Sequence, residues 1–371
     1  MDDNKTRLDS LFTPLSVASG KLHLENRVVM LPMTRVRAEN DGTPSRLMVE
    51  HYAQRASAGL IITDSTAVSI SGRSFLNGPG MYTTEHALSW KEVTEAVHKK
   101  GGKIFLQINH VGRLNNLQYL PRAIPPVAPS AIPFPTSSRQ ITINIPRVTP
   151  YAVPRALETD EIPLIVDEFV RATKLAVFAG FDGVEIHADS GYLIHQFFST
   201  NVNQRTDKYG GSIQNRVRIG LEVLDAVIAV NGAEYVAIKF TPGFQVGDIE
   251  ETDQEEKYLY LIDELNQREQ LAFMHLYFGD LATSDLYAKI RERFNGAILA
   301  EGSLSPEQYA QMITNNTADL IGFGRDFIAN PDLLYRIKNG LSLSSYNPST
   351  LYTWGSEGYT DYPVLKTVEK K

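Results

Sequence analysis

Short apolar runs recur along the chain, separated by segments whose apolar residues repeat every three or four positions, so extended and helical patterns alternate. The runs are Arg27–Met33, Gly59–Ser65, Lys103–Ile108, Gly183–His187, Val236–Phe240, Ala272–Leu276, Ala297–Ala300 and Leu320–Phe323. They show little alternation, as suits strands covered on both faces, and the helices between them call for parallel pairing. Eight such strands predict an α/β fold of the (β/α)8 barrel type in preference to an open sheet. From Thr159 a helix places Ile162, Ile165, Val166, Phe169 and Ala176 on one face and stops at Gly180. Ser305-Pro306-Glu307-Gln308 reads as a capping box, and Asn330-Pro331-Asp332 opens another helix that ends at Gly340.

One interval breaks the rhythm. Nine of the nineteen prolines fall between Pro121 and Pro154, where no helix can form. A long irregular connection inside a compact domain is usually a lid, so residues 114–157 are expected to cap the barrel mouth, with a short hairpin at Gln140–Val148. The whole chain, 1–371, then reads as one domain, with 341–371 forming a tail that contributes to the pocket.

Composition narrows the chemistry. The 371 residues are 43% hydrophobic and 21% charged, a globular balance, and 43 acidic against 36 basic residues give a net charge of −7, the wrong sign for a nucleic-acid partner. With no cysteine there is no disulfide, thiolate nucleophile or iron–sulfur ligand, and no metal site is expected. The start MDDNKTRLDS is polar and no apolar run of about 18 residues occurs, so the expectation is a cytoplasmic protein, free of membrane, acting as a monomer or homodimer.

The signatures of Rossmann dehydrogenases, P-loop enzymes, zincins and α/β-hydrolases are missing. In a barrel the active site lies at the carboxyl ends of the strands, which nominates Thr34, Ser65, Gln107 to His110, His187 to Tyr192, Lys239 and Arg325. The sharpest cluster is Gly183–Leu193, where an apolar strand turns into a bend carrying His187, Ser190 and Tyr192. A lone histidine at a strand end is as often structural as functional, and Tyr192 alone could be packing.

The stretch Gly183–Arg216, GVEIHADSGYLIHQFFSTNVNQRTDKYGGSIQNR, resembles the signature of the old yellow enzyme family of flavin-dependent ene-reductases. Leu11–Arg35, His51–Ser65, Gly101–Arg113, Pro154–Ile162, Ile321–Leu333 and Glu357–Pro363 resemble the same family in the same order, covering nearly the whole chain. The resemblance implies non-covalent FMN, NADPH or NADH as reductant, and a small electrophilic alkene as substrate. It assigns the phosphate to Gly302, Gly324 and Arg325, and the ring to Gln107, Lys239, Thr34 and the backbone near Pro32 and Ser65. Glu301, where the family more often has a small residue, is expected to point away from the phosphate. A phosphate dianion does favour backbone N–H groups and arginine. A ring that gathers negative charge on reduction favours a cation near its N1 and C2=O edge.

By the same likeness His187 and Ser190 bind the substrate oxygen, Tyr192 protonates the α-carbon, and Tyr82, Asn109 and Tyr359 line the pocket. Lys239 stands in place of an arginine, Ser190 in place of asparagine or histidine, and Asn109 in place of an aromatic residue. These changes leave an FMN-dependent isomerase or cyclase, and a non-catalytic flavin-binding barrel, as alternatives. Trp354 is expected either to line the pocket or to pack in the core, and His110 and His195 carry little functional weight.

Overall fold

The computed structural model describes residues 8–73, 75–115, 124–135, 151–243, 246, 248–278 and 285–365. The expected hairpin at Gln140–Val148 lies outside them, as does part of the proline-rich excursion.

All eight expected strands form: β1 Val28–Met30, β2 Leu60–Ile62, β3 Ile104–Asn109, β4 Gly183–His187, β5 Val236–Phe240, β6 Phe273–Tyr277, β7 Ile298–Glu301 and β8 Leu320–Phe323. Every neighbour pairs in parallel, β8 returns to β1, and β2 pairs with β3, so the sheet closes into a (β/α)8 barrel. Side chains that point inward build a dry floor from Val29, Leu60, Phe105, Phe273, Leu299 and Leu320. A hairpin, Leu15–Val17 against Leu22–Leu24, plugs that floor with Val17, Leu22 and Leu24.

Outward-facing strand residues meet the helices, of which α1 Arg46–Gln54, α2 Thr84–His98, α3 Ile162–Phe178, α4 Leu193–Phe198 and α5 Ile213–Asn231 precede β5. After β5 come α6 Gln254–Asn266, α7 Asp285–Arg293, α8 Pro306–Thr314, α9 Arg325–Ala329 and α10 Leu333–Lys338. The capping box of α8 is present, with the Gln308 amide donating to Ser305 Oγ at 3.3 Å and the Ser305 amide to Gln308 Oε1 at 2.9 Å. The helix expected from Asn330 begins at Leu333, and Arg336 reaches back to Asp332 at 2.7 Å. Among the described residues no helix is long and apolar enough to cross a membrane.

Strand periodicity decides what faces the mouth. On β3 the inward positions run Phe105, Gln107, Asn109; on β4, Gly183, Glu185, His187; on β5, Ala237, Lys239. The polar members are all at the carboxyl ends, above the apolar floor.

Candidate functional site

Parallel register sets Gln107 beside Glu185, and His187 beside Lys239, which in turn sits beside His275 of β6. Gln107 Nε2 donates to Glu185 Oε1 at 2.8 Å, which turns its amide oxygen the other way. The second oxygen of Glu185 lies 2.8 Å from His275 Nδ1. His275 Nε2 lies 3.0 Å from Glu301 Oε2, and the same oxygen lies 2.7 Å from Lys239 Nζ. Glu301 therefore reaches across the barrel mouth to Lys239.

His187 is held from both sides, with Nδ1 3.1 Å from Ser65 Oγ and Nε2 2.5 Å from Asp189 Oδ1. Asp189 is fully buried, lies 3.9 Å from Lys239 through its other oxygen, and accepts a hydrogen bond from Ser190 Oγ at 3.2 Å. Thus Ser190, expected to face the substrate, directs its hydroxyl to Asp189. The Tyr192 ring meets the His187 ring edge to face at 4.6 Å.

The bend that presents these side chains is tight. Ser190 has φ 54° and Gly191 φ 77°, both left-handed, and the Gly191 amide donates to His195 Nδ1 at 3.0 Å. His195 Nε2 lies 3.1 Å from Glu251, so this histidine secures the loop. His110 is likewise structural: its ring accepts from the Gly112 amide at 3.0 Å and meets Ser71 at 3.3 Å.

Burial and ion pairing compete across this cluster, and the pairs decide the outcome. Burial opposes the charge on Asp189, but His187 and Lys239 outweigh it and hold its carboxyl well below the usual range. Against burial, His275 and above all Lys239 lower Glu301 to about 2, while Glu301 and Asp189 raise Lys239 above the ordinary lysine value. Glu185 outweighs burial at His275 and raises it. Burial, followed by Asp189, Tyr151 and Tyr352, pushes the Tyr192 phenol well above the usual value, so it stays protonated. Tyr151 comes from the proline-rich excursion and Tyr352 from the tail, so both segments approach the mouth.

Beside this cluster a cavity of about 570 Å3 runs between Pro32, Glu301, Gly302, Ser303, Gly324 and Arg325. A Cβ at Gly324 would meet only Leu31 and Met33, at 3.7 Å or more, so the backbone there is open to a close-fitting group. The Gly302 amide is already taken, donating to Tyr309 Oη at 3.0 Å. A glycine-walled cavity with an exposed arginine suits a phosphate, and the amide of Gln107 with the cation of Lys239 suits a flavin ring. The residues present fit FMN.

Asn109 faces the mouth beside His187 and is buried, yet neither its amide nitrogen nor its oxygen has a partner. Thr34 is half-buried at the end of β1. The remaining sequence candidates lie apart from the cluster. Tyr82 donates to the Asp41 carbonyl at 2.8 Å and packs on His86. Tyr359 is completely buried, stacked on the His51 ring at 3.9 Å beneath the guanidinium groups of Arg35 and Arg37. Trp354 is 55% exposed, which excludes core packing, one of its two expected places. Sequence reasoning missed His275, gave Asp189 no role within the nominated bend and gave Glu301 no partner; the every-second-residue rule along β4, β6 and β7 carries the signal for all three.

Residues 10–344 match the model of the NADH:flavin oxidoreductase / NADH oxidase family. A putative 12-oxophytodienoate reductase 5 of Oryza sativa subsp. japonica is 40% identical over 364 residues, 96% of this chain and 95% of that protein. A probable flavin mononucleotide-dependent alkene reductase of Leishmania infantum is 39% identical over 96% of this chain and 98% of its own. Among solved structures, morphinone reductase in complex with tetrahydroNAD superposes with a TM-score of 0.91 at 43% identity, covering 98% of this chain and 99% of that one.

Proposed function

This chain belongs to the NADH:flavin oxidoreductase / NADH oxidase family, and on that premise we propose that it is an FMN-dependent ene-reductase. It uses NAD(P)H to reduce the C=C bond of an alkene conjugated to a carbonyl or nitro group. The observation that carries this reading is the His187–Tyr192 pair, ring to ring at 4.6 Å, beside a glycine-walled cavity able to take a flavin phosphate. The names of its relatives, alkene and oxophytodienoate reductases, favour reduction over the isomerase, cyclase and non-catalytic readings.

When bound, FMN supplies the hydride chemistry between NAD(P)H and the β-carbon of the alkene. Ser303, Gly324 and Arg325 would hold its phosphate and Pro32, Thr34, Ser65, Gln107 and Lys239 its ring, while Gly302, its amide engaged by Tyr309, forms part of the cavity wall. His187, whose two ring nitrogens are held by Ser65 and Asp189, would turn one of them from its partner to the substrate oxygen, where negative charge develops. The Tyr192 hydroxyl delivers a proton to the α-carbon, and its raised pKa keeps that proton in place over the working pH range. Asn109 brings an unpaired amide to the pocket and takes a polar group of the substrate. Ser190 acts through Asp189. Described residues of the excursion and of the tail, 151–157 and 341–365, cap the mouth and close its side, as the approach of Tyr151 and Tyr352 to Tyr192 supports. The net charge of −7 and the small cavity suit a small-molecule partner, and the protein acts in the cytoplasm as a monomer or homodimer.

Anaerobic spectroscopy tests the reading. The purified protein is expected to be yellow, to bleach with NADPH and to regain colour with 2-cyclohexenone. A colourless sample that takes up no FMN, or a bleached one that no activated alkene reoxidises, would refute it.

A further inference from the structure

Lys239 is the cation the ring site offers, and its charge is not free. Its side chain is 9% exposed, and its Nζ sits 2.7 Å from Glu301 Oε2 and 3.9 Å from Asp189 Oδ2. Glu301, 22% exposed, closes the end of β7 and lines the cavity that suits the cofactor. Across β6, His275 Nε2 lies 3.0 Å from the same carboxylate oxygen, and Glu185 holds the other nitrogen of that ring. The mouth thus gathers three carboxylates, Glu185, Asp189 and Glu301, around one lysine and two imidazoles.

A lone ammonium attracts a nearby anion with an energy that falls as the inverse of distance. With a carboxylate 2.7 Å away the pair presents a dipole, whose attraction is weaker and shorter in range. Reduction of a flavin places negative charge on the edge that Lys239 faces in the proposed function. We infer that Glu301 is a positioning residue that neutralises Lys239 and holds bound FMN at a lower reduction potential than the lysine alone would set. The inference rests on the FMN reading above. A purely structural Glu301, present only to satisfy a buried lysine, would affect folding and leave the potential where it is.

The midpoint potential of the FMN-loaded protein, measured by spectroelectrochemistry, separates the two. Glu301→Gln keeps the size of the side chain and removes its charge. The variant is expected to favour reduced flavin at least tenfold over the parent, about 30 mV for a two-electron couple. The ratio of FMN dissociation constants, oxidised to reduced, is expected to rise by the same factor. A potential that is unchanged or lower overturns the inference. Lys239→Gln combined with Glu301→Gln removes both charges and is expected to return within threefold of the parent. If the double variant keeps the whole shift of Glu301→Gln, the effect does not run through Lys239 and the inference fails. Should Glu301→Gln not fold, Lys239→Gln alone is expected to disfavour reduced flavin, and the double variant to lie above it; equal potentials overturn the inference. A parent protein that takes up no FMN fails the functional reading itself, whereas FMN bound with an unmoved potential fails only this one.

Discussion

His187 and Tyr192 were legible from the sequence because a polar bend follows an apolar strand, but the residue that organises them was not. Asp189 reads as one more polar residue of the bend, and only the alternation 185, 187, 189 brings its carboxylate to His187 Nε2. For Glu301 the family likeness suggested only that its carboxylate points away from the phosphate; its partner, a cation two strands away, becomes visible only once the barrel closes. Two expectations belong to this scale. Tyr192→Phe removes the proton donor and leaves the ring, so the alkene step measured by stopped flow should slow by about 10²–10⁴-fold while reduction by NADPH is nearly unchanged. Equal losses in both steps would refute the donor role. The second concerns acid. Pairing with Lys239 and His275, against the effect of burial, lowers Glu301 from 4.5 to about 2. A carboxyl with a depressed native pKa contributes stability that is whole above the unfolded value and lost as pH falls from about 4.5 towards 2. Denaturation midpoints of Glu301→Gln should therefore fall less steeply than the parent's across that window, and parallel curves would contradict the pairing.

Strands and long helices follow from the chain's own patterning. Eight apolar runs became eight barrel strands, six of them within one residue at each end and the first two ending three residues early, because strands buried on both faces are largely apolar. The floor hairpin, Leu15–Leu24, escaped notice since strands of three residues are too short to show a period, and its place is set by the barrel it plugs. The bend after β4 is where an element's shape bears most directly on chemistry. Gly191 adopts φ 77°, and a Cβ there would lie 3.1 Å from Val246 Cγ1. Gly191→Ala should cost about 1–2 kcal/mol, read by chemical denaturation, and should reduce turnover as Tyr192 shifts. A variant as stable and as active as the parent would show that the bend tolerates the side chain.

At the scale of the whole molecule, the tail shows what a motif can and cannot say. The family likeness of its EGYTDYP stretch marked Tyr359 as pocket lining, whereas the structure uses that ring as packing and the surrounding backbone as a strap. Arg37, buried past the end of β1, donates to the carbonyls of Leu351 at 2.8 Å, Thr350 at 2.9 Å and Glu357 at 3.0 Å. Arg35 adds Gly358 at 2.6 Å. Burial and then Arg35 lower the Arg37 pKa to about 10, which still leaves it charged at neutral pH. No periodicity in 341–365 predicts these contacts, because they satisfy carbonyls of an irregular chain with side chains more than 300 residues away. The strap joins the last part of the chain to the segment carrying Thr34, so the ring site depends on both. Arg37→Ala takes a charged donor from all three carbonyls, although Leu351 keeps Arg35 Nε at 3.0 Å and Thr350 keeps Thr353 Oγ1 at 3.2 Å. The expected loss is about 2–4 kcal/mol, less than the sum of separate charged hydrogen bonds because water replaces some of them. The same variant should expose Leu351, Tyr352 and Trp354 to chymotrypsin under native conditions and weaken FMN binding about tenfold, which corresponds to roughly 1.4 kcal/mol. Cleavage in the tail at the parent's rate, with unchanged affinity, would mean that the strap does not brace the site.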